Sequence, residues 1–135
     1  MDENTKKRMV EKLEILVERV EFIKEHASER MLVDRIVRKA LYKEFQEAVE
    51  AMSDVCAILR RALNSSAKDD YSNIDFLVEK GVLEHGLGRR LKEANGLRNR
   101  LIYEGVDDER ACDAIKELIE DLKGFSEVVL EWMRG

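Results

Sequence analysis

Proline is absent from all 135 residues of this chain. Proline is the strongest breaker of helix interiors, so nothing here forces a long helix to stop or kink. Aromatic residues supply only 6% of the sequence and β-branched runs are few, which argues against a sheet-built core. No apolar run is long enough to span a membrane and no signal-peptide pattern opens the chain, so a cytoplasmic location is expected. Cysteine is confined to Cys56 and Cys112, and histidine to His26 and His85. Neither cysteine has a CxxC spacing or a histidine neighbour. Both read as small buried hydrophobes, and neither a metal nor another cofactor is expected.

What is present is 44% apolar and 39% charged residues, the balance of an amphipathic all-α protein. The length suits one domain over residues 1–135. A net charge of −5 excludes indiscriminate nucleic-acid binding over the whole surface, though not a local basic groove.

Helical periodicity organises the chain. Met9, Leu13, Leu16, Val20 and Ile23 step by four and three, predicting a first helix over Thr5 to His26. Ser28 is a candidate N-cap for a second helix running to Leu63, with Leu32, Ile36, Leu41, Phe45, Val49, Met52, Cys56 and Leu59 along its stripe. The stretch 64–70 is a loop. Ser72 is expected to cap a short helix that Gly81 ends. A further helix is predicted over Glu84 to Tyr103, weakened by glycines at 86, 88 and 96. Gly105 ends it and Asp107 caps the last helix, whose stripe runs from Ala111 to Trp132. The expected architecture is an up-and-down four-helix bundle with a short extra helix.

One segment stands out chemically. Between Arg89 and Arg100 lie Arg89, Arg90, Lys92, Arg98 and Arg100 against the single acid Glu93. Charge alone fits a solvated helix face with ordinary salt-bridge partners. Arginine forks also match phosphate geometry, which makes the segment a candidate phosphate-facing surface.

The same region carries a resemblance. Asp75-Phe76-Leu77-Val78-Glu79-Lys80-Gly81-Val82-Leu83, Arg90-Leu91-Lys92, Gly96-Leu97-Arg98-Asn99-Arg100-Leu101-Ile102 and Leu118-Ile119-Glu120-Asp121-Leu122 resemble the HepT-like branch of the HEPN superfamily. Ala40-Leu41 and Phe45 to Ala51 resemble its long second helix, so the likeness covers nearly the whole chain. The resemblance implies a helical-bundle homodimer with a cleft at the dimer interface, acting as a ribonuclease toxin. It also implies a nucleotidyltransferase antitoxin partner that adds AMP to the toxin. The implied chemistry is metal-independent RNA cleavage by an arginine and, four to six residues later, a histidine. The arginine would bind the scissile phosphate and the histidine would move protons. A tyrosine two residues beyond the histidine is the usual AMP acceptor.

Arg98 and Asn99 match this motif, and Arg90 and Arg100 are further candidate RNA phosphate ligands. The histidine's position holds Tyr103, and the acceptor position holds Gly105. A phenol ordinarily ionises near pH 10, so about one molecule in a thousand is a base at neutral pH. Losing a positioned general base removes roughly 10²–10⁴ in rate. Tyr103 retains the ability to donate a hydrogen bond or to stack on a base, and in a regular helix it shares a face with Asn99. Two readings follow. Either the chain is a toxin-side endoribonuclease of a toxin–antitoxin pair, its activity weakened or lost at Tyr103, or it is a non-catalytic RNA- or nucleotide-binding or regulatory subunit of a nucleotidyltransferase complex. Tyr103 is then the motif's remaining candidate for AMP modification. A helical interaction module unrelated to RNA rests on composition alone.

Overall fold

The computed structural model describes residues 1–135 as six α-helices and one π-helical turn. They are α1 (Glu3–His26), α2 (Arg30–Val33), α3 (Arg35–Ala62), α4 (Asp70–Glu79), α5 (His85–Asn99), the π-turn (Arg100–Glu104) and α6 (Asp108–Arg134). The long elements alternate in direction. Lys12 pairs with Asp54 and Arg19 with Glu47, so α1 and α3 run antiparallel. Lys24 with Glu120 and Lys123 with Glu21 set α6 antiparallel to α1. Such exposed pairs hold little free energy. Their register is fixed instead by one cluster of 31 buried apolar residues drawn from every α-helix.

The stripes of α1 and α6 are buried as their periodicity demands, from Met9 to Ile23 and from Ala111 to Val129. Asp107 caps α6 by accepting the Arg110 amide at 3.1 Å. The second helix departs from expectation. Ser28 is not the N-cap of a long helix: the single turn of α2 begins after Glu29, and the Ser28 Oγ accepts the Arg30 amide at 3.2 Å from one residue outside. The chain then becomes extended at Asp34, whose carboxylate accepts the Ile36 and Val37 amides and starts α3 afresh. That break turns Leu32 and Ile36 off the expected stripe, leaving them 43% and 82% exposed. Arg38 fastens the break, donating to the Met31 and Leu32 carbonyls and pairing with Asp108 at the start of α6. Two smaller shifts also come from capping aspartates. Asp2 starts α1 at Glu3, and Asp69, rather than Ser72, caps α4.

Helix α4 hangs from the far end of α3. The buried Arg60 donates to Ser65 Oγ and to the Ser72 carbonyl, and its guanidinium lies 4.6 Å over the Phe76 ring. Asn73, also buried, accepts from the Lys68 amide and donates to the Lys68 carbonyl, closing the loop before α4. On its other side α4 meets α5 closely enough to require glycine. A Cβ on Gly88 would stand 2.6 Å from Val78 Cγ2. This packing brings the first turn of α4 against the C-terminal half of α5.

Candidate functional site

The site is built where α4 begins and α5 ends. Arg98 lies in the last α-helical turn of α5, its side chain 22% exposed, with Nη1 3.7 Å from Asp70 Oδ2 on α4. Its Nε is buried without a hydrogen-bond partner. One turn earlier, Asn95 is 1% exposed, accepts from Ser53 Oγ at 3.3 Å and leaves its own Nδ2 unpartnered. A buried polar group without a partner costs free energy, so two in adjacent turns mark a strip of α5 kept polar against the core's preference.

Beyond Asn99 the helix widens. The Gly105 amide donates to the Arg100 carbonyl at 2.8 Å, an i→i+5 bond that makes residues 100–104 a π-turn. Gly105 supplies the φ of +85° that ends it, a conformation open to glycine at little cost. The regular helix expected through Tyr103 therefore stops at Asn99. Asn99 is half-buried, while Tyr103 is 78% exposed and makes no hydrogen bond within the protein.

The remaining expected residues divide between faces. Arg100 is exposed, and its Nη1 lies 3.5 Å from where a Cβ on Gly96 would stand. The Tyr71 hydroxyl approaches the same point to 3.6 Å from α4. Arg90 is not brought to Arg98. Its guanidinium meets Asp121 at 3.0 Å, Glu93 at 2.7 Å and Glu117 at 3.6 Å, two of them on α6. The hydrogen bond to Asp121, ahead of the neighbouring carboxylates, holds Arg90 above the usual guanidinium range. A phosphate at Arg90 would have to displace three carboxylates.

Neither histidine reaches the site. His85 is the first residue of α5, about 20 Å along the helix axis from Arg98. His26 ends α1 with its ring 4.4 Å from that of Phe22. Burial pushes the thiols of Cys56 and Cys112 up from their ordinary value, which keeps both protonated and unreactive. No group of three or more His, Cys, Asp or Glu side chains is arranged to hold a metal ion. The sequence reading missed Asp70, Tyr71, Asn95 and Ser53. The first two were absorbed into a loop signal and its margin, and the last two into helical periodicity.

A family model described as Ribonuclease HepT-like matches residues 6–129. The chain belongs to that family. Two Archaeoglobus fulgidus proteins, each named "Putative RNase", are 34% and 32% identical to this HepT-like chain over 120 and 115 residues. Those matches cover 85% and 84% of this chain and 88% and 83% of theirs. Among solved structures, the tri-AMPylated Shewanella oneidensis HEPN toxin in complex with MNT antitoxin superposes with a TM-score of 0.86 at 16% identity. It covers 97% of this chain and 99% of that one. The Bacillus subtilis cytosolic protein YutE, of unknown function, gives 0.83 at 15% identity over 95% and 90%. At such identities the superpositions speak for the shared all-α fold.

As chemistry, the HepT-like site offers a largely buried guanidinium with one carboxylate partner at the edge of ion-pair distance. Such a group exchanges that partner readily for a phosphate. It offers no imidazole beside that guanidinium to carry a proton.

Proposed function

We propose that this chain is the toxin-side member of a toxin–antitoxin pair, a single HepT-like domain that works as a cytoplasmic homodimer with a nucleotidyltransferase as its antitoxin. Its ligand is RNA, held through phosphate by Arg98 with Asn99 and Arg100 beside it. Family membership and the RNase names of its relatives support the ligand class. The toxin–antitoxin complex of the Shewanella oneidensis protein supports the partner class. The observation that carries the reading is Arg98 itself, less than a quarter exposed and with its Nε unpaired. A guanidinium so placed is oriented for an anionic ligand before the ligand arrives.

Cleavage by this site is weakened or lost. Metal-independent cleavage needs a group to take the 2′-hydroxyl proton and another to protonate the leaving oxygen. Tyr103 stands at that motif position as a solvent-facing phenol with no partner to draw its proton away. That exposure favours the second reading, a non-catalytic RNA-binding or regulatory subunit of the nucleotidyltransferase complex. RNA cleavage in EDTA by the wild type, Arg98→Ala and Tyr103→His separates the two. Turnover by Tyr103→His alone means an intact phosphate site that lacks only its base. Turnover by the wild type that Arg98→Ala abolishes makes Tyr103 a working variant. Silence from all three, without RNA binding, refutes the RNA reading.

A further inference from the structure

The start of α3 presents a face that no other element covers. Val33 is 83% and Ile36 82% exposed, with Leu32 beside them at 43%. These side chains do not sit on a fraying end. Met31 is fully buried one residue before Leu32, Arg38 donates to the Met31 and Leu32 carbonyls, and Asp34 caps α3 between Val33 and Ile36. The break in the helix therefore holds three aliphatic side chains out in water on a fixed backbone. Ala40, also exposed, follows Ile36 by four residues and carries the apolar line along α3. Apolar side chains grouped on a fixed surface mark a place of contact with another molecule.

Beside that line runs a ridge of charge. Arg35, Lys39 and Lys43 recur every four residues, are all exposed and have no carboxylate within 4.0 Å. The acids of the same stretch do not answer them. Between residues 28 and 46 these are Glu29, Asp34 and Glu44. Asp34 is engaged by Arg30 and by its cap, and Glu44 faces Arg19. Glu29 alone is unpaired against three free cations. In a chain of net charge −5, this corner is locally positive and apolar at once.

We infer that this face docks an acidic amphipathic helix of another protein. Its apolar side chains rest on Val33 and Ile36, and its carboxylates lie along the Arg35, Lys39 and Lys43 ridge. Burial at the apolar line supplies the attraction, and the ridge selects the partner's charge and fixes its register. Charge complementarity decides against a second copy. Two-fold symmetry lays the same patch on both sides of the seam, which brings two cation ridges together with no free acid but Glu29 to answer them. The apolar line decides against a nucleic acid, whose phosphates use the cations but gain nothing from exposed aliphatic side chains. None of these residues belongs to the Arg98 site, so this surface and the RNA reading stand or fall separately.

The test uses the full chain and three fluorescent synthetic helices of equal length. The first has leucines along one face with glutamates beside them. The second exchanges the glutamates for lysines, and the third exchanges the leucines for glutamines. Anisotropy titrations at low salt compare the wild type with Val33→Ser/Ile36→Ser and Lys39→Glu/Lys43→Glu. The wild type is expected to bind the first helix about tenfold or more tighter than either of the others. Val33→Ser/Ile36→Ser should lose about tenfold for the first helix. Lys39→Glu/Lys43→Glu should invert the preference, favouring the second helix over the first. Unchanged thermal unfolding of both variants, whose substituted side chains are exposed, assigns these losses to the surface. A wild type that binds none of the helices overturns the proposal, as does binding of the first helix that survives either double variant. Self-association that Val33→Ser/Ile36→Ser abolishes overturns it in favour of a second copy. Displacement of the first helix by an oligouridylate, or by vesicles of phosphatidylcholine with phosphatidylserine, overturns it in favour of a nucleic acid or a lipid surface.

Discussion

Replacing Asp70 by asparagine removes the one carboxylate in ion-pair contact with Arg98 while keeping the side chain's size. At 3.7 Å two unit charges attract by about 1 kcal/mol in water and about 4–5 kcal/mol at an effective dielectric of 20. Asp70 is 42% exposed and makes a single contact, so the lower figure applies, at the upper end of measured exposed pairs. An incoming phosphate must outcompete that attraction and also meets repulsion from the same carboxylate. Asp70→Asn is therefore expected to tighten RNA binding by about fivefold, the equivalent of about 1 kcal/mol. The gain should shrink as salt is raised, because the contact is partly solvated. Anisotropy titrations of wild type, Asp70→Asn, Arg98→Ala and the double variant form a cycle that isolates the pair. Weaker binding by Asp70→Asn refutes the competition argument. So does an undiminished gain in the Arg98→Ala background, where there is no guanidinium left to release.

Two further predictions concern the scaffold. Gly88→Ala places a methyl 2.6 Å from Val78 Cγ2, an overpacking that costs about 1–3 kcal/mol against about 1 kcal/mol gained in helix propensity. A net loss in denaturant midpoint is expected, relieved in part by adding Val78→Ala; stabilisation by the single variant contradicts the close contact. The capping carboxylates make stability acid-sensitive. Backbone amides of Thr5, Val37 and Ser72 hold Asp2, Asp34 and Asp69 below the ordinary value of 3.8. A folded-state value below the unfolded one means the contribution is complete above 3.8 and is lost as pH falls from there through the lower folded value. The caps' share of the unfolding midpoint, measured from pH 6 to pH 2, should be constant above about 4 and decline below, and Asp34→Asn should soften that decline.

How much of this was legible varies by element. The ends of the bundle were clear because α1 and α6 each carry an unbroken four-three stripe, and Asp107 sits where a cap belongs. The break at Asp34 was hidden because Leu32 and Ile36 continue the helical period across it. The signal was the aspartate itself, a good N-cap standing two residues before Ile36, and periodicity outvoted it. The π-turn was illegible, since an i→i+5 bond follows from how Gly105 closes the chain and not from any repeat of apolar residues. Arg98 and Tyr103 could be found by spacing. Asp70 could not, because it lies 28 residues earlier at the end of a polar loop and reaches Arg98 only through the packing of α4 on α5.

The anchoring of α4 by Arg60 ties one side of the site to the end of α3. Arg98 is carried by α5, whereas Asp70 and Tyr71 take their position from the last turn of α3, where Arg60 holds Ser72. That turn is most of the length of the longest helix away from the start of α3, where Arg38 is tied to Asp108. One unbroken helix thus joins the turn that holds α4 to the turn tied to α6. Because Ser53 of α3 also meets Asn95 on α5, one turn before Arg98, the same helix supports both sides of the Arg98–Asp70 pair.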